Sequence, residues 1–150
     1  MIFTKSCVYG LRAMIYLASI SREDYVSIKG LSDKLDISFH FLTKILQQLT
    51  AEDLLESMKG PKGGVRLSKS GREITLKEVV EAIDGSAIFT ECVLGLPGCG
   101  SQKPCPMHDM WESTRDEINV MFITTSLQDM SKEGKAKDLR ITPDGKFVWG

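Results

Sequence analysis

Lys59-Gly60-Pro61-Lys62-Gly63-Gly64 limits this chain more than any other segment, because a helix does not run through Pro61 and a following glycine pair. Residues 59–64 are therefore a turn. Leu54-Leu55-Glu56-Ser57-Met58 before it and Val65-Arg66-Leu67-Ser68 after it read as two short strands, which makes a β-hairpin with a basic tip. Glycines at such a tip let the backbone come close to a phosphate, and Lys59, Lys62 and Arg66 offer cations. An ordinary solvated hairpin tolerates the same composition.

Everything before the hairpin has helical periodicity. Val8, Leu11, Ala13, Met14, Ile15, Leu17 and Ala18 recur at helical spacing between Thr4 and Ile20, predicting a first, largely buried helix. Ser27 caps a short second helix, Ile28 to Leu35, and Asp36-Ile37 makes the turn. Ser38 then caps a third helix whose Leu42, Ile45, Leu46 and Leu49 form one apolar stripe. His40, Thr43, Lys44 and Gln47 repeat that spacing on another face, bringing donors, acceptors and one cation together. A polar stripe alone is normally solvated surface. Two short helices joined by a tight turn and followed by a hairpin, however, match a helix-turn-helix with a wing, whose second helix reads base edges in a major groove.

After the hairpin, Thr75 with Glu78 forms a capping box for a helix from Leu76 to Asp84, ended by Gly85. Residues 86–104 are irregular. Cys105-Pro106 opens a long helix in which Trp111, Thr114, Ile118, Met121, Phe122 and Thr125 share one side. From Ser131 onward the chain is polar and loose, with a small hairpin over Ile141 to Val148 around Pro143-Asp144-Gly145. The fold class expected is mainly α with a small β wing: a winged helix-turn-helix DNA-binding domain (1–85), a cysteine sensor loop (86–105), a long dimerisation helix (106–130) and a polar tail (131–150).

Three of the four cysteines, Cys92, Cys99 and Cys105, fall within fourteen residues, with six and then five residues between them. The spacing is too loose for the paired hooks of a zinc ribbon, though zinc stays open. Three thiolates on a flexible loop suit an iron–sulfur cluster, which takes four protein ligands. Two fourth ligands are available: His108, three residues after Cys105 on the same helical face, and the remote Cys7, of which His108 is preferred. A thiol redox switch and a chemically silent loop are the competing readings.

Charge adds little, since 19 Lys and Arg stand against 20 Asp and Glu. Residues 1–67 hold nine basic and seven acidic side chains, a mild asymmetry compatible with DNA at one end. No signal segment or membrane-spanning run is apparent, so the expected compartment is the cytoplasm, where thiols stay reduced. A redox enzyme or electron carrier ranks low, because neither a nucleotide-binding glycine motif nor a nucleophile with its base is present. A zinc-stabilised module without DNA affinity is a further alternative.

Tyr9-Gly10-Leu11-Arg12-Ala13, Leu42 with Ile45, Gly60-Pro61-Lys62-Gly63-Gly64, Val79 with Ile83-Asp84, and the three-cysteine loop resemble the Rrf-two family of bacterial repressors, of the IscR and NsrR kind, over residues 1 to about 130. The resemblance implies a homodimer with winged-helix heads, and a [2Fe-2S] or [4Fe-4S] cluster on Cys92, Cys99 and Cys105. His108 matches the histidine ligand of the IscR type. The aspartate of the NsrR type would fall at Val8, which has no donor atom. Some members lack a cluster, and the first cysteine interval here is one residue longer than the five of the cluster-binding members. The expectation is a transcription regulator that reads a double-stranded operator with Ser38, His40, Thr43, Lys44 and Gln47, positioned by Lys5, Tyr9, Lys59, Lys62 and Arg66, and regulated by cluster ligation.

Overall fold

The computed structural model describes residues 1–145 and Trp149. It is mainly helical, with one two-stranded antiparallel sheet. Helix α1 (Lys5–Ala18) begins where the Thr4 hydroxyl accepts from the Cys7 N–H, and buries Ala13, Met14 and Leu17. Helix α2 (Ile28–Leu35) is capped by Ser27, as its sequence indicates, and ends at Asp36 in the left-handed region with φ 54°. Asp tolerates that conformation better than most residues. The turn is fastened from Ile37 N–H to the Ser32 carbonyl at 3.1 Å, and buried Ile37 locks it to the core.

Helix α3 (Phe39–Ala51) presents Leu42, Ile45, Leu46 and Leu49 inward, none more than 2% exposed. Ser38 occupies the N-cap position, but its side chain makes no capping hydrogen bond, so the expected hydroxyl cap is absent. Strands β1 (Leu55–Met58) and β2 (Gly64–Leu67) pair with Leu55 opposite Leu67 and Met58 opposite Gly64. A bridge missed in the sequence adds Val26 beside Val65, with N–H···O distances of 2.8 and 2.9 Å. Gly64 has to be glycine here. Its φ is 149°, and a Cβ would collide with the Val26 carbonyl.

Helix α4 (Leu76–Asp84) has the expected Thr75–Glu78 capping box and stops at Gly85. A short helix α5 (Ala87–Thr90), which the sequence did not announce, buries Phe89. Cys7, Val80 and Phe89 form a small second core, closed by Phe3, Ile118 and Phe122. It joins the start of α1 to α4, α5 and the helix that follows the cysteine loop.

The C-terminal third corrects the expectation. Helix α6 runs His108–Thr124, starting after Pro106 and ending well before residue 130. It ends because residues 125–127 turn to pair with 74–76: Leu76 N–H donates to the Thr125 carbonyl at 3.0 Å and Leu127 N–H to the Ile74 carbonyl at 2.9 Å. Backbone groups committed to that pairing cannot continue a helix. A new helix, α7 (Leu127–Lys137), starts from a Ser126–Asp129 capping box. It packs on α1, burying Leu127 and Ser131, while the Lys135 ammonium donates to the Ser19 carbonyl. The segment from Ser131 is therefore not a loose tail; Ile141 packs on the main core, and Trp149 is 8% exposed with its indole N–H on the Leu139 carbonyl. The expected hairpin over Ile141 to Val148 falls partly on Lys146, Phe147 and Val148, outside the described residues.

Candidate metal centre and nucleic-acid interface

The loop between α5 and α6 is built from successive tight turns. Gly95 N–H donates to the Cys92 carbonyl at 3.0 Å and Cys99 N–H to the Leu96 carbonyl at 3.3 Å, with Gly95 and Gly98 both at φ 71°. Those left-handed glycines reverse the chain twice and return Cys99 towards Cys92. Cys105 closes the set through a turn in which His108 N–H donates to its carbonyl at 3.0 Å. Trp111 Nε1 donates to the Glu91 carbonyl at 2.9 Å and Arg115 to the Thr90 carbonyl at 3.2 Å, tying α6 to the residues just before Cys92.

The three sulfurs lie within 4.8 Å of one another, and none is in a disulfide. Cys92 and Cys105 Sγ are 3.5 Å apart, and His108 Nδ1 is 3.8 Å from Cys99 Sγ. The other ring nitrogen of His108, Nε2, meets Glu112 Oε2 at 3.1 Å, a partner the sequence reading missed although the i, i+4 spacing marks it. The Leu96 backbone N–H, helped by the Leu94 N–H and the neighbouring thiols, pulls Cys92 down to about 7 against the opposing effect of burial. At Cys99 the Cys105 backbone favours thiolate, but desolvation and the adjacent Cys92 and Cys105 sulfurs prevail and raise it.

Cys7 does not join this group. It is fully buried in the small core, and burial, with Asp84 beside it, pushes its thiol up to about 12. Of the two fourth-ligand candidates, His108 lies beside the sulfurs, whereas Cys7 sits in the small core and outside their group.

Elsewhere, α3 and the wing border one groove, which includes Phe39, Gln47, Met58, Lys59 and Gly64. Ser38, His40, Lys44 and Gln47 are exposed along α3, as are Lys59 and Lys62 at the tip. Tyr9 packs edge-on against Phe41 with centroids 5.5 Å apart, and Lys5 and Arg12 lie over its ring at 5.7 and 5.4 Å. Two expected contact residues have partners within the chain. Thr43 donates its hydroxyl to the Phe39 carbonyl at 2.7 Å, and Arg66 bonds Glu56 at 2.9 Å and the Glu23 carbonyl at 3.3 Å while covering the Tyr25 ring.

Among the described residues, no helix is long and apolar enough to cross a membrane. The Rrf2 family, described as an iron-dependent transcriptional regulator, matches residues 3–133. The regulator IscR of Photorhabdus laumondii is 30% identical over 131 residues, covering 87% of this chain and 79% of that one. IscR of Xenorhabdus nematophila is 29% identical over 146 residues, covering 92% and 88%. Among solved structures, the fold is shared with CymR, the global cysteine regulator of B. subtilis, at a TM-score of 0.74 and 24% identity over 87% of this chain and 96% of that one. It is shared also with T. potens IscR, at a TM-score of 0.72 and 23% identity over 91% and 90%. The family match across residues 3–133 and relatives named as transcription regulators lead to one conclusion: the chain belongs to the Rrf2 family of transcriptional regulators.

Proposed function

We propose that this regulator binds its operator as a homodimer and senses iron–sulfur or redox status through a cluster held by Cys92, Cys99, Cys105 and His108. One observation carries the reading: three thiols and an imidazole converge in an open loop between the DNA-binding head and α6. The donor set fits, since thiolate with one imidazole is an iron–sulfur ligand set, and such a cluster responds to iron supply, oxidants and nitric oxide. The chain's own contribution is to gather the sulfurs on glycine turns and to hold His108 at the start of α6. A change in ligation therefore acts on the loop that Trp111 and Arg115 fasten to α6, and through Phe89 and Phe122 on the core beneath α1. It biases how two heads sit relative to each other.

For the operator, exposed His40, Lys44 and Gln47 supply base and phosphate contacts, and Lys5, Tyr9, Lys59 and Lys62 flank them. The absence of a Ser38 cap leaves first-turn N–H groups of α3 for a phosphate, as helix N-termini bind anions. Thr43 and Arg66, each bonded within the chain, serve the interface by holding α3 and the wing in shape. Residue function is thus binding rather than catalysis, and the place of work is the cytoplasm, with the DNA. Pairing is supported by α6, which buries none of its seventeen residues fully and exposes Met110, Val120, Met121 and Ile123.

A second reading, a single zinc ion, is favoured by the closeness of the sulfurs, because thiolates on tetrahedral zinc sit roughly 3.8 Å apart. Anaerobic purification with iron, sulfide and zinc analysis decides between them. Brown protein with matched iron and sulfide, lost in Cys99→Ala, supports the cluster; stoichiometric zinc without sulfide replaces it with the second reading.

A further inference from the structure

We infer that Glu112 is the positioning residue for the metal centre: it fixes His108 so that Nδ1, and not Nε2, is the ligand atom. The inference rests on the proposed metal or cluster reading of Cys92, Cys99 and Cys105. His108 is the first residue of α6 and Glu112 stands one turn later, so their side chains share a face. Nε2 meets the Glu112 carboxylate at 3.1 Å, while Nδ1 lies 3.8 Å from Cys99 Sγ. An ionised carboxylate only accepts, so Nε2 carries the hydrogen and donates it; in a neutral imidazole the lone pair is then on Nδ1, towards the sulfurs.

A surface ion pair without further purpose would leave both groups in solvent. Here the histidine side chain is 11% exposed and its carboxylate partner 49% exposed, so the ring is held in the site and the acid reaches in from solvent. A carboxylate bonded to the outer nitrogen of a metal-ligating imidazole fixes ring orientation and increases the ligand's basicity, and loss of such a partner typically costs about 10–100-fold in metal affinity. Because the acid is exposed, replacing it removes the hydrogen bond without opening a cavity.

Cobalt(II), added anaerobically to the metal-free full-length protein, tests this through its thiolate-to-metal absorption, with Glu112→Ala, Glu112→Gln, His108→Ala and the His108→Ala/Glu112→Ala pair. The expected result is cobalt affinity about 10–100-fold weaker in Glu112→Ala, partial recovery in Glu112→Gln, whose amide oxygen still accepts, and no further loss when Glu112→Ala is added to His108→Ala. In cluster-loaded protein, the reduced centre should show nitrogen coupling in its electron-nuclear spectrum, kept in Glu112→Gln and altered in Glu112→Ala. Affinity and coupling unchanged in Glu112→Ala, or an equal loss with and without His108, would overturn the inference while the metal site stands. Wild-type protein that takes up neither cobalt nor iron would overturn the metal reading itself, and the inference with it.

Discussion

Asp84 accepts two hydrogen bonds from Thr4, one from its backbone N–H at 3.0 Å and one from its hydroxyl, across a sequence separation of 80. The contact pins the start of α1, which carries Lys5 and Tyr9, to the end of α4, one residue before Gly85 releases the chain towards the cysteine loop. Replacing Asp84 with Ala removes a charged acceptor for both bonds and should cost about 1–2 kcal/mol in urea denaturation. Operator affinity should weaken too, because Lys5 and Tyr9 lose their anchor. A stability change within about 0.5 kcal/mol, the range of an ordinary surface substitution, would count against the pin.

Cysteine reactivity should divide sharply between Cys92 and Cys7. In metal-free protein at neutral pH, Cys92, lowered to about 7, should be alkylated first, and Cys7, raised to about 12, should stay unlabelled until the protein unfolds. The same Cys7 shift sets a direction for stability. Above the ordinary thiol value of 9.0 the unfolded chain loses this proton, whereas the folded chain keeps it to about 12. The folded state then binds more protons, so stability falls as pH rises through that window. Alkylation followed by mass spectrometry, with denaturation curves on either side of pH 9.0, checks both parts; early labelling of Cys7 would contradict its burial.

How much of this was legible in the sequence varies with the kind of signal. Leu42, Ile45, Leu46 and Leu49 are as deeply buried as their spacing requires, and the Thr75–Glu78 box forms as written, because both are local rules that tertiary packing here only reinforces. The end of α6 was missed for the opposite reason. Apolar spacing continues past Thr124, and what stops the helix is pairing with Ile74 and Leu76, a contact that no local pattern announces. Ser126 and Asp129 did carry a local signal, a capping box inside a polar stretch, but the long-helix reading passed over it. Met121 was assigned to one stripe with Ile118 and Phe122, yet it is 54% exposed while those two pack on the small core, since seventeen residues of α6 meet other elements on only part of their circumference. The grouping of the three cysteines could be read from their spacing; that Cys7 lies in a separate buried core and that Glu112 bonds His108 required coordinates.

DNA binding should separate the cations of α3 and the wing by what already holds them. Lys44 and Lys62 are exposed, and if they meet phosphates as proposed, each change to Ala should weaken binding to double-stranded DNA and reduce the salt-dependence slope by about 1. Arg66 is fastened to Glu56, the Glu23 carbonyl and the Tyr25 ring, so Arg66→Ala should loosen the wing and leave that slope nearly unchanged. Fluorescence anisotropy over a salt series measures all three. A slope for Arg66→Ala that falls as far as that for Lys62→Ala would make Arg66 a direct phosphate ligand.

Helix α6 provides the sharpest check on oligomeric state. Met110 and Met121 are three turns apart and share a face, Val120 lies to one side of it and Ile123 further round the helix, and these four side chains are 70%, 54%, 57% and 49% exposed in the single chain. Solvated methionine, valine and isoleucine along one helix gain by meeting a second copy. A two-fold axis brings the same patch from both chains together, so one substitution changes the interface twice. Val120→Glu and Met121→Glu would each place two carboxylates in that contact, where they are desolvated and repel. Each should raise the dimer dissociation constant at least about 100-fold, equivalent to about 2.7 kcal/mol, without changing the far-ultraviolet circular dichroism of the head. Sedimentation velocity across a dilution series reads the outcome, and operator affinity should fall with it because two half-sites are then bound independently. A wild-type chain that sediments as a monomer at every concentration would remove the pairing, whereas a dimer indifferent to both substitutions would move the interface off α6.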